Sequence, residues 1–369
     1  MRIGIPKEIK DQEFRAGMTP AGVRELARRG HTVLVQAGLG SRVGMPDEQY
    51  AAAGARIVPS ASELFGEADL VVKVKEPQPQ ERAWLRPGQV LFAYLHLAPD
   101  RAQTEALLAS GAVAIAYETV TGPGGTLPLL APMSEVAGRM SVQVGAAHLE
   151  LPRGGRGVLL GGVPGVEPGH VVVLGAGTAG RHAVQMAVGA GARVTVLNRG
   201  VPKLRELDAL YGNRIRTLTA NSQAIEEAVL DADLVIGAVL EPGAPAPRLV
   251  DRATVARMKP GAVVVDIAID QGGCFETSRP TSHSAPTFVD SGVVHYCVTN
   301  MPGAVARTST LALTQATLPH LLRLADRGWR AALAADPQLR AGLNVCEGQL
   351  TSRPVAEALG LPWREAPAA

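Results

Sequence analysis

Short aliphatic runs alternate with segments of helical periodicity along this chain, the pattern an α/β fold requires. Residues 2–5, 32–36, 70–75, 90–96 and 112–117 read as strands. The helix after the first of these is well signalled. Thr19 is placed as its N-cap and Pro20 at the first helical position, Val23, Leu26 and Ala27 share one face, and Gly30 marks the stop. Thr121-Gly-Pro-Gly-Gly-Thr126 breaks the series, which sets a boundary near Leu130. Ser134 then stands where it could cap a long helix over 135–150. After a Gly- and Pro-rich segment at 151–169, strands are expected at 171–174, 193–197, 234–239 and 262–267, in a parallel domain ending near Met301. The remainder reads as helical, with Leu311, Leu318, Leu321, Leu322 and Leu324 on an apolar stripe.

One strand carries a recognisable turn. His170-Val-Val-Val-Leu-Gly-Ala-Gly-Thr-Ala-Gly180 is an apolar strand followed by GxGxxG, a helical segment and a second strand about 20 residues on, the full context of a dinucleotide-binding fingerprint. Gly175 permits the tight turn, Gly177 lets the backbone approach a pyrophosphate, and Gly180 lets the helix pack on the sheet. The second strand ends in Asn198-Arg199, where an NAD-restricted site usually places Asp or Glu against the ribose hydroxyls.

Composition narrows the ligands. The 369 residues are 46% hydrophobic, enough for two packed cores, and 36 basic residues interspersed with 34 acidic ones give a net charge of +2. Nothing here suggests a nucleic-acid surface or a polybasic anchor. Cys274, Cys297 and Cys346 lack metal or disulfide spacing, and the histidines show no HxxxH or HExxH, so no metal site is expected. Met1-Arg-Ile-Gly-Ile-Pro-Lys-Glu8 is too charged for a signal peptide, and no run approaches the length of a membrane span. A soluble, cytoplasmic protein is the expectation.

In parallel sheets ligands sit beyond the carboxyl ends of the strands, so charged residues there are the candidates for chemistry. Lys75 ends one expected strand, and His96 ends the next, with an imidazole suited to taking and returning a proton near neutrality. Asp270 follows the strand of the second domain, whereas Asp266 within it reads as structural. Arg15 lies in the first strand-to-helix loop, where a guanidinium can hold a carboxylate through two hydrogen bonds. Singly, a loop cation is usually a solvated charge and a strand-end histidine usually structural; their convergence at carboxyl edges opposite a dinucleotide site is what points to function.

With Lys7-Glu-Ile9, Arg15-Ala-Gly-Met-Thr-Pro20, Lys75-Glu-Pro77, Tyr94-Leu-His96, Pro132-Met-Ser-Glu-Val-Ala-Gly-Arg139, Asp266-Ile-Ala-Ile-Asp-Gln-Gly-Gly273 and Asn300-Met-Pro-Gly303, the chain resembles the alanine dehydrogenase family over nearly its whole length. The resemblance implies two doubly wound Rossmann-like domains with an interdomain active-site cleft. Residues 1–130 plus 304–369 would form the substrate domain, and 131–303 the dinucleotide domain. It implies reversible oxidation of L-alanine to pyruvate and ammonium with NAD, in a homo-hexamer without membrane or nucleic-acid partners. Arg15 and Lys75 would bind the substrate, and His96 and Asp270 would form the catalytic pair.

Cofactor contacts implied in the same way begin with Met133 near the nicotinamide and with Ser134, Thr178 and Ala179 near the pyrophosphate. Asn198, Lys203 and Ala220 would lie around the adenosine. Val239, Leu240, Ile267, Ala268, Ile269, Asp270, Arg279, Val298, Thr299, Asn300 and Met301 complete the set. Ala220 replaces the family's commoner hydroxyl side chain and Asn198 its acidic residue, so NADP is expected to be tolerated beside NAD. The alternatives are a transhydrogenase subunit, which would have a membrane partner, and a non-catalytic dinucleotide-responsive protein, which would bind cofactor without reducing it.

Overall fold

Buried aliphatic runs pair into two sheets in the computed structural model, which describes residues 1–239 and 246–366. The strands in chain order are β1 (Arg2–Ile5), β2 (Thr32–Gln36), β3 (Ala55–Val58), β4 (Leu70–Val72), β5 (Val90–Ala93), β6 (Val113–Ala116), β7 (His170–Leu174) and β8 (Arg193–Asn198). They continue as β9 (Ile215–Thr219), β10 (Leu234–Gly237), β11 (Val263–Asp266), β12 (Thr287–Asp290), β13 (Val293–Tyr296), β14 (Leu343–Cys346) and β15 (Gln349–Leu350). The chain divides into two compact units, Met1–Met133 with Val305–Ala369, and Ser134–Ala304.

In the first unit the order is β15-β14-β6-β5-β4-β1-β2-β3, with β1 to β6 mutually parallel and β14 and β15 antiparallel additions. In the second it is β12-β13-β11-β10-β7-β8-β9, parallel except for edge strand β12. Each sheet is thus doubly wound in the Rossmann order, and the order in which strands are laid down reverses between β1 and β4 in one and between β7 and β10 in the other. Those two switch points are where ligands are received in such sheets. Central strands β4, β5, β6, β7, β10 and β11 are buried at every position, as expected for sheets covered on both faces.

The structure corrects the sequence reading in four places. β4 stops at Val72 and β5 at Ala93, short of 75 and 96, because the backbone beyond them is held by side chains at the sheet edge. The helix Ala131–His148 starts three residues before Ser134, with Ala131 N–H already bonded to the Leu127 carbonyl, so Ser134 lies inside it and caps nothing. β3, β9 and the two hairpins β12–β13 and β14–β15 were not read as strands; β3, β9, β12 and β15 are edge strands, with no continuous apolar run. In the helix Ala306–Arg327 the buried face is Ser309, Thr310, Leu313, Thr314, Thr317, Leu321 and Leu324, whereas Leu311 is exposed. Its small hydroxyl side chains turn their hydrogen bonds onto nearby backbone, as Thr314 Oγ1 does to the Thr310 carbonyl at 2.8 Å, and so can be buried.

Among the described residues no helix is long and apolar enough to cross a membrane. Nor does any group of three His, Cys, Asp or Glu side chains among them suit a metal ion.

Candidate active site

In the first unit, β1 and β4 flank the switch point and each delivers a cation just beyond its end. Arg15 is buried and its guanidinium is fixed by Glu13, with Nε donating to Oε1 at 2.7 Å and Nη2 to Oε2 at 2.5 Å. The Arg15 N–H donates to the same carboxylate at 3.0 Å, and Nη1 approaches Met133 Sδ at 3.0 Å. A two-bond fork of this kind removes side-chain freedom before any ligand arrives. Helix Ala306–Arg327 braces the loop, because Thr310 Oγ1 accepts the Ala16 N–H at 3.0 Å.

Lys75 follows a lysine of opposite fate. Lys73, fully buried, donates from Nζ to Glu8 Oε2 at 3.0 Å and to Glu81 Oε1 at 2.9 Å, both carboxylates being buried as well. The second Glu8 oxygen accepts the N–H groups of Val74 at 2.6 Å and Lys75 at 3.4 Å, so the ion network fixes the backbone from which the Lys75 side chain leaves. Burial, and then the positive charge of Arg15, hold the Lys75 ammonium below the usual lysine range.

His96 lies past the end of β5 with its backbone at φ 49°, the left-handed region that a non-glycine residue enters only when its surroundings require it. Its imidazole is exposed and stacks on the Tyr94 ring, with centroids 5.8 Å apart and planes 8° from parallel. Tyr94 is anchored in turn through its hydroxyl, which donates to the Leu129 carbonyl at 2.5 Å. Arg15, Lys75 and His96 therefore lie in the segments that follow β1, β4 and β5, three consecutive strands in the order of one sheet.

In the second unit the glycines of the fingerprint can be tested by what a methyl group would meet. At Gly175 (φ 105°) a Cβ would lie 2.6 Å from the Ala238 carbonyl oxygen, and at Gly180 1.9 Å from that of Gly175. At Gly177 a Cβ would meet nothing within 4 Å, so the absent side chain leaves open space above the turn. Helix Thr178–Gly189 begins there without a side-chain cap, and Thr178 and Ala179 form its first turn. The arrangement fits a pyrophosphate, received by bare backbone at a helix N-terminus.

At the end of β8 the Asn198 side chain is engaged on both sides. Its Oδ1 accepts the Ala176 N–H at 3.0 Å, and Nδ2 donates to the Gly200 carbonyl at 2.8 Å, tying the second strand to the glycine turn. Ala220 N–H bonds to the Asn198 carbonyl at 3.1 Å, and Lys203 stands exposed on helix Val201–Tyr211. Val239 lies beside Gly175; Leu240 lies outside the described residues.

The segment after β11 is organised by Asp266, which is fully buried. Its carboxylate accepts the N–H of Ala268 at 3.1 Å, that of Cys274 at 2.8 Å and the Ser278 hydroxyl at 2.6 Å. Burial raises its pKa above the ordinary aspartate value, against these three donors. Asp266 thereby caps the 3-10 turn Ile267–Gln271, in which Ala268 and Ile269 are buried and Asp270 is exposed. Further along, Arg279 stacks over Phe288 with Cζ 4.1 Å from the ring centroid, Thr281 forms a bridge with Val298, and Thr299 N–H reaches the Thr281 carbonyl. The Asn300 carbonyl bonds the His283 ring at 2.8 Å, ahead of the buried Met301. Burial pushes the Cys274 and Cys297 thiols up to about 12, so neither is a thiolate nucleophile.

The sequence pattern assigns no supporting role to the carboxylates Glu8, Glu13 and Glu118. A signal existed for each, since Glu13 stands two residues before Arg15, and Glu8 and Glu118 lie just beyond the ends of β1 and β6.

Residues 4–137 match the family model described as "Alanine dehydrogenase/PNT, N-terminal domain", and residues 141–353 match the corresponding C-terminal domain. The chain is 58% identical over 366 residues to an alanine dehydrogenase of Halomonas elongata, covering 99% of both chains. It is similar to a solved L-alanine dehydrogenase with TM-score 0.95 and 52% identity, over 98% of this chain and 99% of that one. A transhydrogenase structure from Sinorhizobium meliloti is similar with TM-score 0.81 and 25% identity, over 96% and 99%.

Proposed function

The chain belongs to the alanine dehydrogenase/PNT family, and from that premise we propose which of its side chains perform its reaction. It is an NAD-dependent dehydrogenase that reversibly converts L-alanine and water to pyruvate and ammonium. The observation that best supports the residue assignment is that Arg15, Lys75 and His96 follow the ends of three consecutive parallel strands of one sheet, β1, β4 and β5.

A bound NAD would supply the acceptor for the hydride of the substrate α-carbon. Arg15 and Lys75 hold the substrate carboxylate and carbonyl oxygen, and their prior fixation by Glu13 and Glu8 orients the α-carbon. The amine is neutral when hydride leaves, and the resulting cationic iminium is attacked by water. His96 takes the proton from that water as general base, a role typically worth about 10²- to 10⁴-fold. Asp270 orients the water or stabilises the cationic intermediate; the carbinolamine formed then takes a proton on nitrogen from His96, gives up its hydroxyl proton and loses ammonia to leave pyruvate. The fingerprint glycines with Thr178 and Ala179 receive the pyrophosphate, and the remaining cofactor contacts follow the family pattern: Met133, Ser134, Asn198, Lys203, Ala220, Val239, Leu240, residues 267–270, Arg279 and residues 298–301.

NADP is tolerated beside NAD. Support comes from Asn198, which brings no carboxylate against a 2′-phosphate, and from the positive charge of Arg199 and Lys203 close in sequence. The assembly is a homo-hexamer of this chain, a reading supported by the exposed Leu151, Leu159, Val163 and Val166. Sedimentation at working concentration tests it, and a monomer would refute it.

One assay addresses substrate and cofactor together: L-alanine is mixed with NAD or with NADP and the absorbance of the reduced cofactor followed. Reduction with NAD, and more slowly with NADP, is expected. Cofactor binding without alanine-dependent reduction would overturn the reading, and absence of any NADP rate would overturn the tolerance alone. His96→Ala is expected to abolish turnover while cofactor binding stays near wild type.

A further inference from the structure

We propose that Glu118 is a positioning residue for the reaction, holding His96 in its reactive placement through the backbone; the inference rests on the reading of His96 as general base. Glu118 follows β6, the neighbour of β5 in the first sheet, and the register pairs Ala93 with Ala116. From there its carboxylate reaches two successive peptide groups. Oε1 accepts the His96 N–H at 2.7 Å, and both oxygens accept the Leu95 N–H, at 3.2 and 3.3 Å.

Those three bonds, to two N–H groups, fall where β5 has ended and His96 turns to φ 49°. A non-glycine residue holds this conformation only while its surroundings over-determine it. One side-chain acceptor reaching two successive N–H groups from the neighbouring strand's end supplies that constraint, since it fixes the orientation of both peptides. The turn also sets the imidazole parallel to the Tyr94 ring, which is tied to Leu129. Glu118 is therefore assigned no contact with substrate; it acts by fixing the angle at which the His96 side chain leaves the sheet edge.

The test uses full-length enzyme with Glu118→Ala, Glu118→Gln and Glu118→Asp, measuring kcat and KM for L-alanine, NAD affinity and thermal unfolding. Glu118→Ala is expected to lower kcat about a hundredfold, the scale of a misplacement near 1 Å, with KM for L-alanine and NAD affinity within about threefold of wild type. Glu118→Gln keeps an acceptor oxygen at the same reach and is expected to stay within about fivefold of wild-type kcat. Glu118→Asp keeps the charge but withdraws the oxygens, and should lose kcat at least tenfold. If Glu118→Ala does not fold, the Asp and Gln variants decide the matter, and equal kcat in those two overturns the proposal.

A crystal structure of Glu118→Ala supplies a readout that needs no activity. Return of His96 to negative φ supports the role, and retention of positive φ overturns it. Should the wild-type enzyme fail to reduce NAD with L-alanine, the functional reading fails, while the φ of His96 still decides whether Glu118 positions it.

Discussion

The two units share one strand order, yet prepare their ligand edges by opposite means. In the first, every residue proposed to act on substrate has its peptide N–H held by a glutamate: Arg15 by Glu13, Lys75 by Glu8 and His96 by Glu118. In the second, the turn at the switch point contains no charged side chain; it is shaped by glycines, two of which leave no room for a methyl group. The difference follows from the ligands. A small amino acid offers few atoms, so the protein must fix several charges in advance. A dinucleotide presents a pyrophosphate, which bare N–H groups can receive if side chains stay out of the way.

The largest effect should come from breaking the charge network of the first unit. Lys73→Met leaves Glu8 and Glu81 buried without their cation and is expected to cost about 3–5 kcal/mol of stability, read by denaturant unfolding. A loss below about 1 kcal/mol would mean the two carboxylates readily take up protons or water, and that the network is not what fixes Lys75.

Next, Gly180→Ala should act on the other side of the comparison. Its Cβ falls 1.9 Å from the Gly175 carbonyl oxygen, so the turn must shift, at about 1–3 kcal/mol for overpacking. NAD affinity, by fluorescence titration, is expected to fall more than tenfold while the edge of Arg15, Lys75 and His96 is undisturbed. Unchanged affinity would show that the close approach is not needed for binding.

The smallest effect is a pH dependence. Because the Lys75 ammonium is held below the ordinary lysine range, by burial first and by Arg15 second, its charge is lost as pH rises through that lowered value, before a free lysine would titrate. Pyruvate has no titrating amine, so its affinity for the enzyme with reduced cofactor should decline as pH rises through the lowered Lys75 value. Lys75→Arg should move the decline to higher pH, and identical profiles for the two proteins would remove Lys75 from carboxylate binding.

Much of this architecture was legible from residue order. The run of Val171 to Leu174 before Gly175, and cations just past aliphatic runs, gave the switch-point residues of both sheets, because central strands are long in apolar residues and ligands gather at their ends. Edge strands were harder. β9 reads Ile-Arg-Thr-Leu-Thr and β3 Ala-Arg-Ile-Val, sequences whose pairing partners, not their own pattern, make them strands. The inward Thr310, Thr314 and Thr317 were hidden for a related reason, since a hydropathy stripe does not register hydroxyls satisfied by backbone. Glu118 escaped notice although the rule that selected His96, a polar residue past a strand end, applies equally to β6.

The hairpin β14–β15 has a consequence for how the protein is made. It completes the sheet begun by β1, pairing through β14 with β6, whereas the second unit is one continuous stretch from Ser134 to Ala304. During synthesis the dinucleotide unit is therefore whole while the earlier-made strands still wait for a partner. The exposed edge of β6 would then be a liability to a nascent chain, and a ribosome stalled before Leu343 would release a protein able to finish only its second half.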